Sequence, residues 1–516
     1  MDTILILDFG SQYTQLIARR IRDLGVYTEI KPGETRLDED VLRGVRGIVL
    51  SGSPFSVYET GAPSPDPAVY SCGLPVLGIC YGAQLMTQDF GGKVQALPEE
   101  EYGRIPVRLV ETDPLFNGIS GEFQSWMSHG DSIETVARGF RVVALTDSGI
   151  PAAIVHESLP LHGVQFHPEV THCDHGTLIL ENFALNICVC EKSWTMTHYV
   201  ERERAIIRER VGSAPVLLLI SGGVDSTVAG ALLLTCLPKE QVHLMYIDTG
   251  LMRTSESDEV MCTLHSLGAT HVHRVDAQDE FLSALAGVNE PEEKRHIIGD
   301  LFIRVQEKAE NSLGLGDYFL AQGTLYTDLI ESGKGVGKKA HVIKSHHNVR
   351  SPLVERKRAE GRIIEPLDRL YKDEVRELGR ELGVAEKVVR RHPFPGPGLG
   401  VRVLGEVTKE KCDVLRAADD EFLRQLRTRD LYDRIWQAFC VLLPVRSVGV
   451  AGDVRTYGWT VALRAVASSD GMTADVYEFD MKDLLEISAA ITNRVKAVGR
   501  VVYDVSSKPP ATIEWE

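Results

Sequence analysis

The sequence predicts an α/β protein: two doubly wound parallel-sheet domains in succession, then a small C-terminal α+β domain. Three observations carry this. In the first stretch, short β-branched runs alternate with helical patterns, giving strands at Thr3–Leu7, Gly47–Leu50, Pro75–Ile79 and His162–Gln165 and helices at Tyr13–Leu24 and Ala83–Phe90. The pattern lapses around Leu185–Ser193, a helix-like charged stretch Glu201–Val211 follows, and the alternation restarts at the apolar run Pro215–Ile220. Further strands are predicted at Val242–Ile247, Val272–Val275, Tyr318–Ala321 and Val342–Ile343. Finally, His392-Pro-Phe-Pro-Gly-Pro-Gly-Leu-Gly400 fits neither helix nor inner strand, because prolines remove donors and glycines loosen the backbone. Beyond it, strands at Val448–Val450, Thr460–Ala467 and Val501–Asp504 and a helix near Asp483–Ala497 make the α+β tail. The expected domains are therefore 1–190, 191–391 and 392–516.

Composition narrows the function classes. A chain of 516 residues, 43% hydrophobic and 25% charged, has the make-up of a folded soluble protein with room for three cores. Its 56 Lys and Arg against 73 Asp and Glu leave −17, which argues against nucleic-acid polymers and membrane surfaces as partners. The longest apolar run, Val228–Leu237, has ten residues and falls short of the roughly 18 that a membrane span needs. The N-terminus, Met1-Asp-Thr-Ile-Leu-Ile-Leu-Asp8, lacks the basic region of a secretory signal. Nine scattered cysteines suit reduced thiols in a cytoplasmic setting.

Two motifs carry chemistry. Gly78-Ile-Cys80-Tyr-Gly82 is the thiol form of a nucleophile elbow: the glycines permit a sharp strand-to-helix turn, and the helix N-terminus favours thiolate. Read alone, it would equally suit a buried cysteine beside a tight turn. His167-Pro-Glu169, after a strand-like run, supplies a base and a carboxylate to orient it. In this order within about 190 residues, elbow and His-Pro-Glu resemble the triad-type class I glutamine amidotransferases. That resemblance implies that Cys80 attacks the side-chain amide of L-glutamine, with His167 moving the proton and Glu169 orienting it. It also implies oxyanion donors at the amides of Gly52 and Tyr81 and a substrate contact at Gln84. Ser53 stands where that family more often has a second glycine, a mild departure, and Ser128-His-Gly-Asp131 matches a segment with a structural or docking role. His172, Cys173 and His175 lack standard zinc spacing, and Cys188 and Cys190 are a lone pair.

The second motif is Ser221-Gly-Gly-Val-Asp-Ser226, between an apolar run and a helical one. Strand, Gly-rich turn and helix together aim backbone N–H groups at phosphate. Without the Gly-Lys-Ser/Thr ending it is no Walker A; it resembles the loop of the N-type ATP pyrophosphatases. That likeness implies that Ser221, Gly222, Gly223, Val224, Asp225 and Ser226 bind pyrophosphate, that Asp225 contacts Mg²⁺ arriving with ATP, and that Lys372 serves the phosphates. Arg253 and Gln322-Gly-Thr324 match nucleotide-pocket segments. Between Lys334 and Arg362, nine Lys or Arg stand against two Glu, a solvated run or a phosphate-facing lid.

Pro291–Asp300, Leu320–Leu325, Arg391–Leu399, Gly452–Thr456 and Ser507–Glu516 are together similar to the family of glutamine-hydrolysing GMP synthases. Departures sit at Asn348–Pro352 and in the Lys334–His341 stretch. The resemblance implies ATP, XMP and L-glutamine as substrates, XMP contacts at Arg295, Asp453, Lys508, Ile513 and Glu514, and a homodimer through the C-terminal domain. Other adenylating amidotransferases, the NAD and asparagine synthetases, use different glutaminase types. A non-catalytic nucleotide-binding regulator on the same scaffold is the remaining alternative, and every nucleophile, base and loop residue it could have lost is present.

Overall fold

A computed structural model describes residues 1–331, 352–451, 454–468 and 474–516. The strand expected at Val342–Ile343, most of the basic stretch from Lys334, and Asp453 lie outside the described residues. The chain divides into two units, one built on Met1–Tyr199 and the other on Val200–Tyr326 with the described residues from 352 onward. Among the described residues no helix is long and apolar enough to cross a membrane.

The first unit carries a nine-stranded sheet. Its parallel half is β1 (Thr3–Asp8), β2 (Tyr27–Pro32), β3 (Val45–Leu50) and β4 (Val76–Ile79), joined later by β9 (Leu161–Val164). In between come β5 (Lys93–Leu109), β6 (Glu122–Thr135), β7 (Phe140–Thr146) and β8 (Pro151–His156), all antiparallel to their neighbours. The order across the sheet is β2-β1-β3-β4-β9-β8-β7-β5-β6. β1 reads as an unbroken apolar run because its first five residues are buried in the middle of the parallel half. The sheet is thus mixed, where the sequence suggested parallel strands throughout. β6 shows why: it alternates buried and half-exposed residues, and its polar positions hide the strand from a search for apolar runs.

In the second unit, β10 (Val216–Ile220), β11 (Val242–Asp248), β12 (His271–Asp276), β13 (Phe319–Ala321) and β14 (Ile363–Ile364) form a parallel sheet of order β12-β11-β10-β13-β14. The chain proceeds outward from β10 on one side, then returns to β10's other edge for β13. That reversal opens a crevice beyond the carboxyl ends of β10 and β13. The loops there are Ser221–Ser226 and Gln322–Thr324, the segments singled out from sequence. A Cβ placed on Gly323 would stand 3.3 Å from the Ser226 nitrogen, so the two loops touch backbone to backbone.

The C-terminal region pairs β15 (Gln437–Ala451) with β16 (Val454–Ala467) in a long antiparallel hairpin. β17 (Asp475–Val476) pairs antiparallel and β18 (Val498–Tyr503) parallel to β16. One buried cluster runs from Ile247, Leu251 and Phe281 through Leu399 and Val403 to Phe422, Leu463 and Ile491. The Pro/Gly-rich segment is therefore packed between two regions that share a core. Leu399 N donates to Leu251 O at 2.8 Å, and Gly398 has φ +62° with its would-be Cβ 2.4 Å from the same oxygen. Gly398→Ala should lower unfolding free energy by about 2 kcal/mol or more in urea titrations, while Gly396→Ala, with nothing nearby, should change it by less than about 1 kcal/mol.

Candidate active site

Cys80 joins β4 to the helix Tyr81–Asp89 at φ 53°, ψ −105°, a conformation that L-residues rarely adopt. The turn is held from both sides. Cys80 N donates to Val164 O at 2.7 Å, which ties the elbow to the end of β9. A Cβ on Gly78 would lie 2.6 Å from Ala83 N, and one on Gly82 would lie 2.4 Å from Leu50 O. Both glycines of the motif are thus required by close backbone approach. The second contact brings the loop after β3, with Gly52, against the first turn of the helix whose leading amide is Tyr81's. A Cβ on Gly52 would stand 3.3 Å from His167 Cε1, so Gly52 borders the imidazole.

His167 Nδ1 meets Glu169 Oε1 at 2.7 Å, and both side chains are buried, Glu169 completely. Burial works against a charged imidazole here, but the Glu169 carboxylate and the hydrogen bond with Cys80 outweigh it and hold His167 well above its usual value. The ring also packs edge-on against Tyr13, with centroids 4.9 Å apart. Gln84 is buried and donates to Asp131 O at 2.7 Å, which gives the Ser128–Asp131 segment a structural task beside the elbow. In that segment His129 is pushed down to about 4, first by burial and then by the charge of His167. Thiol, imidazole and carboxylate, gathered from the ends of β4 and β9 with the Gly52 loop beside them, are parts suited to attack on an amide carbonyl.

The second unit holds the phosphate-type site. Ser221–Gly223 leads into the helix Val224–Cys236 without a side-chain cap, so no capping side chain occupies its first N–H groups. Ser226 Oγ accepts from Ser221 N at 3.2 Å and lies 3.1 Å from Ser221 Oγ, closing the loop on itself. Lys372 opens the helix Lys372–Glu381 and places Nζ 2.6 and 2.5 Å from the Asp225 carboxylate oxygens. Two helix N-termini and a lysine converge there, which suits a polyanion. Among the described residues no three His, Cys, Asp or Glu side chains assemble as a metal site. Asp225, a single carboxylate beside a phosphate-type loop, fits a Mg²⁺ ligated chiefly by the phosphates it accompanies.

The remaining sequence-singled residues gather at the C-terminal segment. Arg402 and Arg464 are fully buried and grip it. Arg402 makes a bidentate pair with Glu514 at 2.8 and 3.0 Å, and Gln437 donates to the same carboxylate at 2.8 Å. Arg464 donates to the carbonyls of Ser506, Thr512 and Ile513 at 2.5, 3.1 and 3.3 Å. Ile513 packs beside Phe439, Val441 and Ala462. Arg295 donates to the Glu516 carbonyl, while Lys294 meets the Glu516 carboxylate at 2.5 Å. Lys508 pairs its backbone with Ala474 in both directions. Arg295, Ile513 and Glu514 thus meet around the docked segment, and Asp453 is outside the described residues.

A family model of class I glutamine amidotransferases matches residues 5–187, and one of the GMP synthase C-terminal domain matches residues 424–515. The glutamine-hydrolysing GMP synthase of Aquifex aeolicus is 49% identical over 99% of this chain and 99% of its own. Those of Caldanaerobacter subterraneus and Symbiobacterium thermophilum are 49% and 50% identical over 100% of this chain and 99% of theirs. The chain belongs to the glutamine-hydrolysing GMP synthase family.

For a member of that family, the sequence reading left out several neighbours of the sites. Gln165 Nε2 lies 4.0 Å from Cys80 Sγ, and its place two residues before His167 on the strand end was the available signal. Tyr13 carried no signal, since its contact with His167 spans 154 residues of sequence. Glu169→Gln should cut glutamine hydrolysis by roughly 100-fold or more, read from steady-state kcat/KM. It should also move the alkaline limb of the pH profile to lower pH, because the carboxylate is what keeps the imidazole protonated. In stability terms the raised His167 value makes the pair's contribution full below an unfolded value of about 6.5 and lost as pH rises through the folded one. The stability gap between parent and variant should accordingly shrink on going alkaline.

Proposed function

We propose that this chain makes GMP, AMP, diphosphate and L-glutamate from XMP, ATP, L-glutamine and water. The observation that carries the reading is the full-length likeness to named GMP synthases, which takes in both chemical centres and the C-terminal segment. Functionally the chain reads as three parts, a glutaminase over 1–190, an adenylating part over 191–391 and a nucleotide-holding, dimerising part over 392–516.

In the glutaminase, the Cys80 thiolate attacks the carboxamide carbon, and the amides of Gly52 and Tyr81 take the developing oxyanion. Gln84 helps hold the glutamine. His167, oriented by Glu169, hands its proton to the departing ammonia, then takes one from the water that hydrolyses the thioester to glutamate. In the adenylating part, the C2 oxygen of XMP attacks the α-phosphorus of ATP and pyrophosphate leaves into the Ser221–Ser226 loop, with Lys372 beside it. Mg²⁺ bound with ATP would be held by Asp225 and supplies charge neutralisation to the phosphates. Ammonia then forms the C2–N bond as AMP departs. XMP is held by Arg295 and Lys508, with Ile513, Glu514 and Asp453 completing the pocket.

The C-terminal hairpin supports a homodimer: Val448, Val450 and Tyr457 are 52%, 74% and 64% exposed on paired strands, an apolar surface that suits a second copy. All nine cysteines are free thiols, which supports a cytoplasmic setting.

Incubating the protein with Mg-ATP, XMP and either glutamine or ammonium salt should yield GMP and pyrophosphate, and absence of GMP with both nitrogen sources would sink the reading. Cys80→Ala should abolish only glutamine-driven synthesis, whereas Asp225→Ala should stop synthesis from both sources and spare basal glutaminase activity. Light scattering should show the parent as a dimer and Val450→Glu combined with Tyr457→Glu shifted to monomer.

A further inference from the structure

The segment Arg391–Gly400 has no role in the chemistry above, yet its first residue touches the pyrophosphate loop. Arg391 Nη1 donates to Gly222 O at 3.0 Å, and Nη2 meets Glu256 Oε1 at 2.9 Å. Glu256 is buried and held from its other side, where Oε2 accepts from Arg253 N at 2.9 Å. The arginine's own backbone is anchored by His392, whose Nδ1 accepts from Ala438 N at 3.1 Å and whose Nε2 faces Tyr432 O at 2.9 Å. Burial pushes His392 down to about 4, so one neutral tautomer serves both partners across the physiological range.

The consequence lies in one peptide plane. In a trans peptide the C=O of one residue and the N–H of the next point in opposite directions. Gly222 sits at φ +80°, where a Cβ would run into Val260 Cγ2 at 2.7 Å, so only a glycine can pack there and its peptide has other orientations open to it. Tying the Gly222 carbonyl to Arg391 turns the Gly223 N–H to the opposite side. There it has only a long 3.4 Å contact with Ser221 Oγ and is oriented for an anion.

We propose that Arg391 and Glu256 form a clamp that sets the anion-binding form of the Ser221–Ser226 loop, which makes both positioning residues for the pyrophosphate of ATP. This rests on the adenylating role proposed above. Arg391 acts through the Gly222–Gly223 peptide, and Glu256 acts through Arg391. The Pro/Gly-rich segment thereby becomes the part that carries the clamp's arginine, rather than a passive linker.

The test uses the full chain, with synthesis driven by ammonium salt so that Cys80 is not needed. Arg391→Gln should raise KM for Mg-ATP and the inhibition constant of magnesium pyrophosphate together, by about tenfold, as expected for a lost charge-assisted hydrogen bond. KM for XMP and kcat at saturating ATP should stay within about twofold. Arg391→Lys should fall between parent and Gln variant, and the isosteric Glu256→Gln should shift the same two constants. A merely structural role would lower the melting temperature and kcat while leaving pyrophosphate inhibition unchanged, and that result overturns the clamp. Should Arg391→Gln not fold, calorimetric titration of Glu256→Gln with magnesium pyrophosphate decides the matter, unchanged affinity counting against the proposal. A parent chain that binds pyrophosphate but makes no GMP would indict the assigned reaction; an active parent with unshifted variants would indict the clamp alone.

Discussion

Both sites stand where two stretches of backbone pack closely, too closely for a methyl group beside the thiol and tightly beside the Ser221–Ser226 loop. At the thiol site Gly78 faces the nitrogen of Ala83 and Gly82 faces the carbonyl of Leu50; in the other unit Gly323 faces Ser226 and Gly398 faces Leu251. Such contacts cannot be relaxed by moving a rotamer. They fix the elbow, the Gly52 loop and the Ser221–Ser226 loop to the strand ends beneath them, which is the rigidity a reacting geometry demands. The strained φ of Cys80 persists because these neighbours over-determine it.

The two centres use electrostatics in opposite ways. In the glutaminase unit a fully buried carboxylate acts on one imidazole in a water-poor setting, where a single charge has a long reach. In the second unit Lys372 and Asp225 are 46% and 30% exposed, so their pairing is screened and exchangeable. The first arrangement suits a proton that must be kept at one atom; the second suits groups that must rearrange around a large polyanion. The C-terminal segment follows a third pattern, in which the buried guanidinium groups of Arg402 and Arg464 are spent on carbonyls and a carboxylate of the chain itself.

What could be read from the sequence follows from how local each constraint is. The elbow, His167-Pro-Glu169 and Ser221–Ser226 are each defined within six residues, and their flanking strands are apolar runs. The helix Lys409–Thr428 buries Asp419 and Glu421 beside its apolar stripe of Leu415, Ala418, Phe422 and Leu426, and they are answered by Cys440 N and by Arg424 and Arg494. Those partners make burial of charge tolerable, and no apolar pattern announces them. The strand β6 is hidden by its polar alternation, whereas β7 and β8 carry short apolar runs that do not reveal their antiparallel pairing. Arg391 stands in a recognisable Pro/Gly-rich segment, but its contacts with Gly222 and Glu256 span 169 and 135 residues of chain and have no local signature.

His129 has one more consequence. It is a second buried imidazole, and burial together with the charge of His167 pushes it down to about 4. At physiological pH it is the neutral imidazole of the two, one ring nitrogen a donor and the other an acceptor. Of the two buried imidazoles, charge is thus favoured on His167 alone, the one that faces both Cys80 and Glu169.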